Sequence, residues 1–124
     1  MSKYHNKITY VDGIKFDSKR EAEYYIIYKN LQRNGKIINL RRQVPYEIIP
    51  AVYRDEIKHL KTKDKIVSKC IQKATNYYAD FVYDDPITGI THVIDVKGGK
   101  VTKEYGLKKK MMLAFKNIEI EEVR

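Results

Sequence analysis

Two apolar runs, "CIQKATNYYADFVYDD" and "ITHVIDVK", are joined through the turn sequence "DDPITG", and this pattern constrains the fold more than any other stretch of the chain. Both runs are rich in β-branched and aromatic residues, and Pro86 and Gly89 mark a reversal between them. The spacing predicts one long strand over 70–85 and an antiparallel partner ending at Lys97. The second strand is apolar except for Asp95 and Lys97, and it breaks at Gly98 and Gly99.

The elements on either side complete a mixed α/β order. "KITYVDGIKF" contains two short β-rich runs around Asp12-Gly13, a dipeptide suited to a tight hairpin. "DSKREAEYYIIYKNLQRNG" reads as a helix with Ser18 as N-cap and Gly35 at its C-terminal end. "IINLRRQVPYEIIPA" is the next strand, interrupted or bent near Pro45 and ended by Pro50. Between Tyr53 and Lys69 the pattern fails. Lys58, Lys61, Lys63, Lys65 and Lys69 crowd a polar segment that is either a mobile connection or an extended hairpin arm. After "GGK" a second helix starts around Thr102, with Leu107, Met111 and Ala114 or Phe115 on its inward stripe. "IEIEEV" is a short closing edge strand. The fold class is therefore α/β: a single small domain over 1–124, with a mixed sheet flanked by helices and an N-terminal β-hairpin.

Composition narrows the partners. The chain of 124 residues carries a formal net charge of +9 and eleven tyrosines. That excess favours a polyanion, nucleic acid before an anionic membrane. No run approaches the ~18 apolar residues of a membrane span. Neither helix pairs a basic face with a continuous Phe/Leu face, so a membrane-surface role is poorly supported. "MSKYHNKITY" has no apolar leader core. Cys70 is the only cysteine, which excludes an internal disulfide or a cysteine-based zinc site and suits a reducing cytoplasm.

Strand geometry sorts the charged residues. Side chains at i and i+2 leave a strand on the same face, so Asp95 and Lys97 project together, with His92, Ile94 and Val96 opposite. In the preceding strand, alternation groups Tyr78, Asp80 and Val82 against Tyr77, Ala79, Phe81 and Tyr83. Pairing through the turn brings Asp80 and Asp95 across from each other or onto adjacent strands. Two such carboxylates repel, so a cation must stand between them, either Lys97 or a divalent ion. Magnesium suits this setting, because it takes one or two carboxylates and keeps water in its shell. In the first helix Tyr24, Tyr25, Ile27, Tyr28 and Leu31 form an apolar arc that includes Glu21. Ser18-x-x-Glu21 also matches a capping box. Glu21 is therefore either a cap or a third acid of the site.

A helix acid, a strand acid and Asp-x-Lys fourteen intervening residues later form an ordered constellation. In it the sequence resembles the PD-(D/E)XK nuclease superfamily: "YADF" supplies Asp80, "IDVK" supplies Asp95 and Lys97, and "SKREAEYY" supplies Glu21. It looks most like a group of small phage-encoded members, through "DGIKFDSKREAEYY", "RRQVPYEIIPA", "YYADFVY", "DVKG" and "TKEYGLKKKMM". Ala79 stands where that pattern has proline.

The resemblance implies a restriction-endonuclease-like αβββαβ core and magnesium-dependent hydrolysis of DNA phosphodiesters, with manganese able to substitute. It implies Asp80 and Asp95 as metal ligands, helped by Glu21 and the Val96 backbone carbonyl, and Lys97 as the residue that orients the attacking water. Gln43 resembles a position that supports the site. Gly98 and Gly99 either let backbone approach a phosphate or simply turn the chain. Lys103, Tyr105, Lys108 and Lys109 open the second helix, where basic groups and amides suit phosphate; Lys108 to Lys110 equally suit a solvated face. The lysines of 53–69 either track a DNA backbone or solubilise a loop. The resemblance further implies a homodimer acting on DNA, including branched forms such as Holliday junctions, in the cytoplasm of a bacterial host. The competing expectation is a non-catalytic basic DNA-binding module that needs neither Asp95 nor Lys97.

Overall fold

The computed structural model describes residues 8–124, and the expectation drawn from "MSKYHNKITY" lies largely outside them. The chain runs β1 (Thr9–Val11), β2 (Ile14–Phe16), α1 (Lys19–Arg33), β3 (Ile38–Ile49), β4 (Val52–His59), β5 (Asp64–Gln72), β6 (Thr75–Asp84), β7 (Thr91–Val96), α2 (Lys103–Lys116) and β8 (Glu121–Val123). The central sheet has the order β3-β6-β7-β8. β3, β6 and β7 are antiparallel in turn, and β8 lies parallel to β7 after the α2 crossover. The αβββαβ succession expected from the sequence is thus α1, β3, β6, β7, α2, β8.

Local chemistry explains most boundaries. Asp12 and Gly13 both hold positive φ, 52° and 76°, as a two-residue hairpin turn requires. Ser18 caps α1 by accepting the Glu21 amide at 3.1 Å. Gly35, at φ 74°, donates its amide to the Gln32 carbonyl and turns the chain away. Asp85 closes the β6–β7 turn, its Oδ1 accepting from the Ile87 and Thr88 amides. Thr102 caps α2 through the Tyr105 amide.

The sheet is covered on both faces. On one, α1 buries Ala22, Tyr25 and Tyr28 with Phe16, Ile37, Phe81 and Ile94. On the other, α2 buries Tyr105 and Met112 with Ile48, Tyr77, Ala79, Val82, Val93 and Ile120. Two helix stripes are narrower or shifted relative to expectation. Ile27 is exposed, and α1 turns Ala22 inward in its place. In α2, Leu107 is 56% and Phe115 64% exposed, whereas Met112 is fully buried. The inward direction passes through Tyr105 and Met112, because the tyrosine ring anchors the first turn against Tyr77 at 6.4 Å.

Two strand expectations are corrected, and of the two alternatives for 53–69 the extended arm is the one found. The run 70–85 is not one strand: it divides at Lys73 and Ala74, because its first half pairs with β4 and only its second half enters the central sheet. The segment between β3 and β6 is the extended arm, an antiparallel β4–β5 ribbon that contributes no residue to either cluster. β3 passes through Pro45 unbroken, since Pro45 faces Tyr78 in register. Two positions earlier, Gln43 adopts φ 48°. The Gln43–Asp80 rung is missing within the constant register from Arg41 to Glu47, and the register shifts lie on either side of that run, between Ile38 and Arg41 and between Glu47 and Ile49.

That break corrects the facing of β6 as well. Tyr77, Ala79 and Val82 lie with α2, while Phe81 and Tyr83 lie with α1. β3 changes face at the same level: Leu40 lies with α1, but Val44 and Tyr46 lie with α2. Strict alternation cannot produce this, and the left-handed residue at Gln43 supplies the extra rotation. Among the described residues, no helix is long and apolar enough to cross a membrane.

The α2 stripe generates a direct check. Met112→Ala is expected to destabilise the protein by about 2–5 kcal/mol in urea unfolding, while Leu107→Ala changes it by less than about 1 kcal/mol. Equal effects would mean that the helix faces the sheet differently.

Candidate active site

The site forms where β6 and β7 part. Their ladder ends at the Phe81–Ile94 pair, one step before Asp80 and Asp95 would oppose each other. Beyond it the Val96 amide, which a continuing ladder would engage through backbone, donates to Asp80 Oδ2 at 2.8 Å. β7 leans instead on β8, with Asp95 beside Glu122 and Val96 beside Val123. A side chain thus replaces main chain at the fork and leaves two acids at its mouth.

Glu21 joins this pair from α1. Its backbone amide serves the Ser18 cap, but its carboxylate faces the sheet: Oε1 accepts from Gln43 Nε2 at 3.1 Å and lies 3.7 Å from Arg42. The same Gln43 amide nitrogen reaches Asp80 Oδ1 at 3.3 Å. Gln43 therefore ties the helix acid to the strand acid, and its left-handed backbone aims it there. Arg42 lies over the Phe16 ring at 4.3 Å, which fixes the guanidinium beside Glu21.

Asp95 is 6% exposed, the single charged residue buried in the core among those described. Its Oδ2 accepts from the Tyr77 hydroxyl at 2.6 Å, and its Oδ1 meets Lys97 Nζ at 2.9 Å. Lys97 Nζ also stands 3.2 Å from the centroid of Tyr105. The ammonium is held between a carboxylate and an aromatic face. Asp95 and Lys97 share the α2 side, as strand alternation predicts.

The electrostatics reflect crowding of acids in a partly dry setting. Burial and the nearby Asp80 charge push Glu21 from 4.5 to about 7, against the pull of Arg42 and Gln43. Burial, with the Asp95 charge, also raises Asp80, although the Val96 amide and Gln43 oppose this. Groups so perturbed gather at functional sites more often than elsewhere.

Among the described residues, no three His, Cys, Asp or Glu side chains come together in a group that could hold a metal ion. The donor set still fits magnesium, which needs only one or two hard carboxylates and keeps its waters. Asp80 and Asp95 would be those donors; burial is the main cause of the raised Asp80, and a cation would relieve the smaller contribution from Asp95. The Val96 amide is committed to Asp80.

The remaining sequence candidates divide. Tyr105 is 9% exposed and forms the floor beneath Lys97. The cap at Thr102 turns its ring inward, a placement that residue type alone could not distinguish. Lys103 is exposed, Lys108 pairs with Glu104 at 3.3 Å, and Lys109 pairs with Glu122 at 2.7 Å. Gly98 and Gly99 have open space where a Cβ would stand, so the fold itself does not demand glycine there. A shallow cavity of about 260 Å³ runs beside the site, between Tyr77, Tyr78, Asp95, Thr102, Tyr105 and Lys108. Tyr77, Tyr78 and Arg42 were not picked out from sequence. Tyr77 carried a usable signal, since a tyrosine three residues before a strand acid can reach the neighbouring strand.

The raised Glu21 carboxyl makes stability depend on pH. The folded chain holds this proton more tightly than the unfolded chain, whose carboxyl titrates near 4.5. The contribution is therefore complete below pH 4.5 and lost as pH rises through about 7. Glu21→Gln removes that loss. Its stability relative to wild type is expected to rise by ~1–3 kcal/mol between pH 5 and pH 8 in urea titrations. Parallel stability curves would mean that Glu21 titrates normally.

Residues 1–123 match the family described as "Protein of unknown function (DUF1064)". No curated protein and no solved structure matches the chain. With nearly its whole length aligned, the chain belongs to the DUF1064 family.

Proposed function

We propose that the chain is a metal-dependent DNA endonuclease of the PD-(D/E)XK type. The observation that carries this reading is the convergence of Glu21, Asp80, Asp95 and Lys97 at one strand fork. Those four residues lie on three elements, and Gln43 and the Val96 amide knit them together. Asp80 alone satisfies the Val96 amide; the second acid beside it adds repulsion that a sheet needing only stability would gain nothing from.

In this reading Asp80 and Asp95 hold magnesium, with Glu21 beside Asp80, and manganese substitutes. The bound ion supplies Lewis acidity towards a phosphoryl oxygen and a more acidic water. The chain's own residues do the rest. Lys97, clamped by Asp95 and Tyr105, presents a fixed ammonium that orients the attacking water and offsets charge on the phosphate. Gln43 sets the distance between Glu21 and Asp80. Lys103 and Lys108 at the start of α2 take neighbouring phosphates. The net charge of +9 supplies general attraction to DNA. Two copies of the chain would present two such sites, as cutting both strands of a branched substrate in a bacterial cytoplasm requires.

A second reading has its own support. The carboxylates already find protein donors: Asp80 in Gln43 and Val96, Asp95 in Tyr77 and Lys97, Glu21 in Gln43 and Arg42. Such a satisfied network can serve purely as scaffold for a basic DNA-binding module.

Cleavage of a labelled four-way junction, a matched linear duplex and a single strand separates the two. Assays would contain magnesium, manganese or EDTA. Wild type is expected to cut with either metal and not with EDTA. Asp95→Ala and Lys97→Ala are expected to lower cleavage at least about 100-fold with DNA binding largely kept, as loss of transition-state electrostatics does. Asp95→Asn and Lys97→Met keep the packing and guard against misfolding. Binding without cutting in either metal would favour the scaffold reading.

A further inference from the structure

The β4–β5 ribbon sorts its charges by face. From Tyr53 onward its register is regular: Arg54 opposes Lys69, Glu56 opposes Val67, and Lys58 opposes Lys65. Alternation puts these six residues on one face. The other face carries Tyr53, Asp55, Ile57 and His59 against Cys70, Ser68, Ile66 and Asp64. All four basic residues of the two strands' regular pairing thus share a face with one acid, while the other two acids lie behind them.

This arrangement is unfavourable for an isolated ribbon. Like charges directly across a strand pair destabilise it, and two of the three rungs on the basic face are cation against cation. Glu56 relieves one of them, at 3.6 Å from Lys69. Lys58 and Lys65 have no such acid among the described residues. The ribbon gains nothing from the core in return, since it gives no residue to either hydrophobic cluster and both strands are exposed almost throughout. A two-stranded ribbon standing alone is marginal to begin with. A polyanion laid over the basic face turns the repulsion into attraction.

We propose that the basic face of the β4–β5 ribbon tracks the phosphates of duplex DNA. Charge complementarity selects the occupant, and the shape agrees: a two-stranded ribbon fits the major groove, and eight residues span about 26 Å, most of a helical turn. Cations on one strand stand four residues apart, about 13 Å, four times the strand rise. Lys61 and Lys63 in the tip, where the Leu60 amide donates to the Lys63 carbonyl, extend the basic track beyond the strands. The inference deepens the nucleic-acid reading of the site, on which it rests, but concerns binding and not chemistry.

The test is duplex DNA binding by fluorescence anisotropy in EDTA across a salt series, with the full chain. The variant is Arg54→Gln/Lys58→Gln/Lys65→Gln/Lys69→Gln. Because the ribbon lies outside the core, this variant is expected to fold like wild type by circular dichroism. Each phosphate left without its cation should lower the slope of log affinity against log salt by about 0.9, so the slope should fall by about 2–4 and affinity by about 10–100-fold. A control, Arg33→Gln/Lys36→Gln/Lys110→Gln/Lys116→Gln, removes the same charge elsewhere and should change the slope far less.

Equal losses in both variants would overturn the proposal, leaving only net charge. So would an unchanged slope in the ribbon variant, or wild type that binds no duplex. The apolar face offers a rival, a second copy of the chain. If Ile57→Thr/Ile66→Thr converts a dimer to a monomer in light scattering while the ribbon variant leaves the slope intact, the ribbon is a protein interface and the proposal fails. If wild type binds through the ribbon but never cuts with magnesium, the cleavage reading fails and this one stands.

Discussion

The hydrogen bond from the Val96 amide to the Asp80 carboxylate, 2.8 Å long, is the hinge of the structure. It ends the β6–β7 ladder without leaving a buried amide unpaired, which an abrupt end would do at a cost of about 1–3 kcal/mol. It also directs the two strands apart. β6 continues beside β3, β7 turns to β8, and the wedge between them receives Asp80 and Asp95. The missing rung at Gln43 serves the same geometry from the other side of β6. A left-handed non-glycine residue costs of order 1–3 kcal/mol. Here it coincides with the contact that joins Glu21 to Asp80.

The second anchor is the buried charge at Asp95. A carboxylate at such depth is tolerated only when paired and hydrogen-bonded, and Tyr77 and Lys97 do both. Tyr105 completes the arrangement by facing the ammonium with its ring. Two tyrosines of the α2-side core thus act on the polar centre as well as on packing, which links core stability to the alignment of Lys97. These two tyrosines each bury a ring and offer either a hydroxyl or a π-face at the boundary with the site.

Core and ribbon solve opposite problems. In the core, charge is scarce, buried and matched atom by atom. In the ribbon, charge is abundant, solvated and sorted into a like-signed face that favours an external anion. The chain therefore keeps the buried, paired charges of the fork apart from the solvated charges of the ribbon, and substitution in one is expected to leave the other's geometry in place.

Local chemistry was legible from the residues alone. Asp12-Gly13, Ser18, Gly35, the "DDPITG" turn and Thr102 fixed the turns and caps, because each acts within a few residues of itself. Alternation put Asp95 and Lys97 on a common face, and that relation survived because β7 is regular. The tertiary structure alone decided the rest. Whether Glu21 was only a cap depended on Gln43 and Arg42, which reach it from another element. The change of face at Asp80 depended on a backbone twist at Gln43, to which a two-residue period is blind. Tyr105 lies beneath Lys97, eight positions earlier in the chain, a contact that helix position alone does not reveal. Sequence determines what each residue can do within its own turn or strand; only packing determines which distant group it meets, because burial and charge pairing are properties of the whole fold.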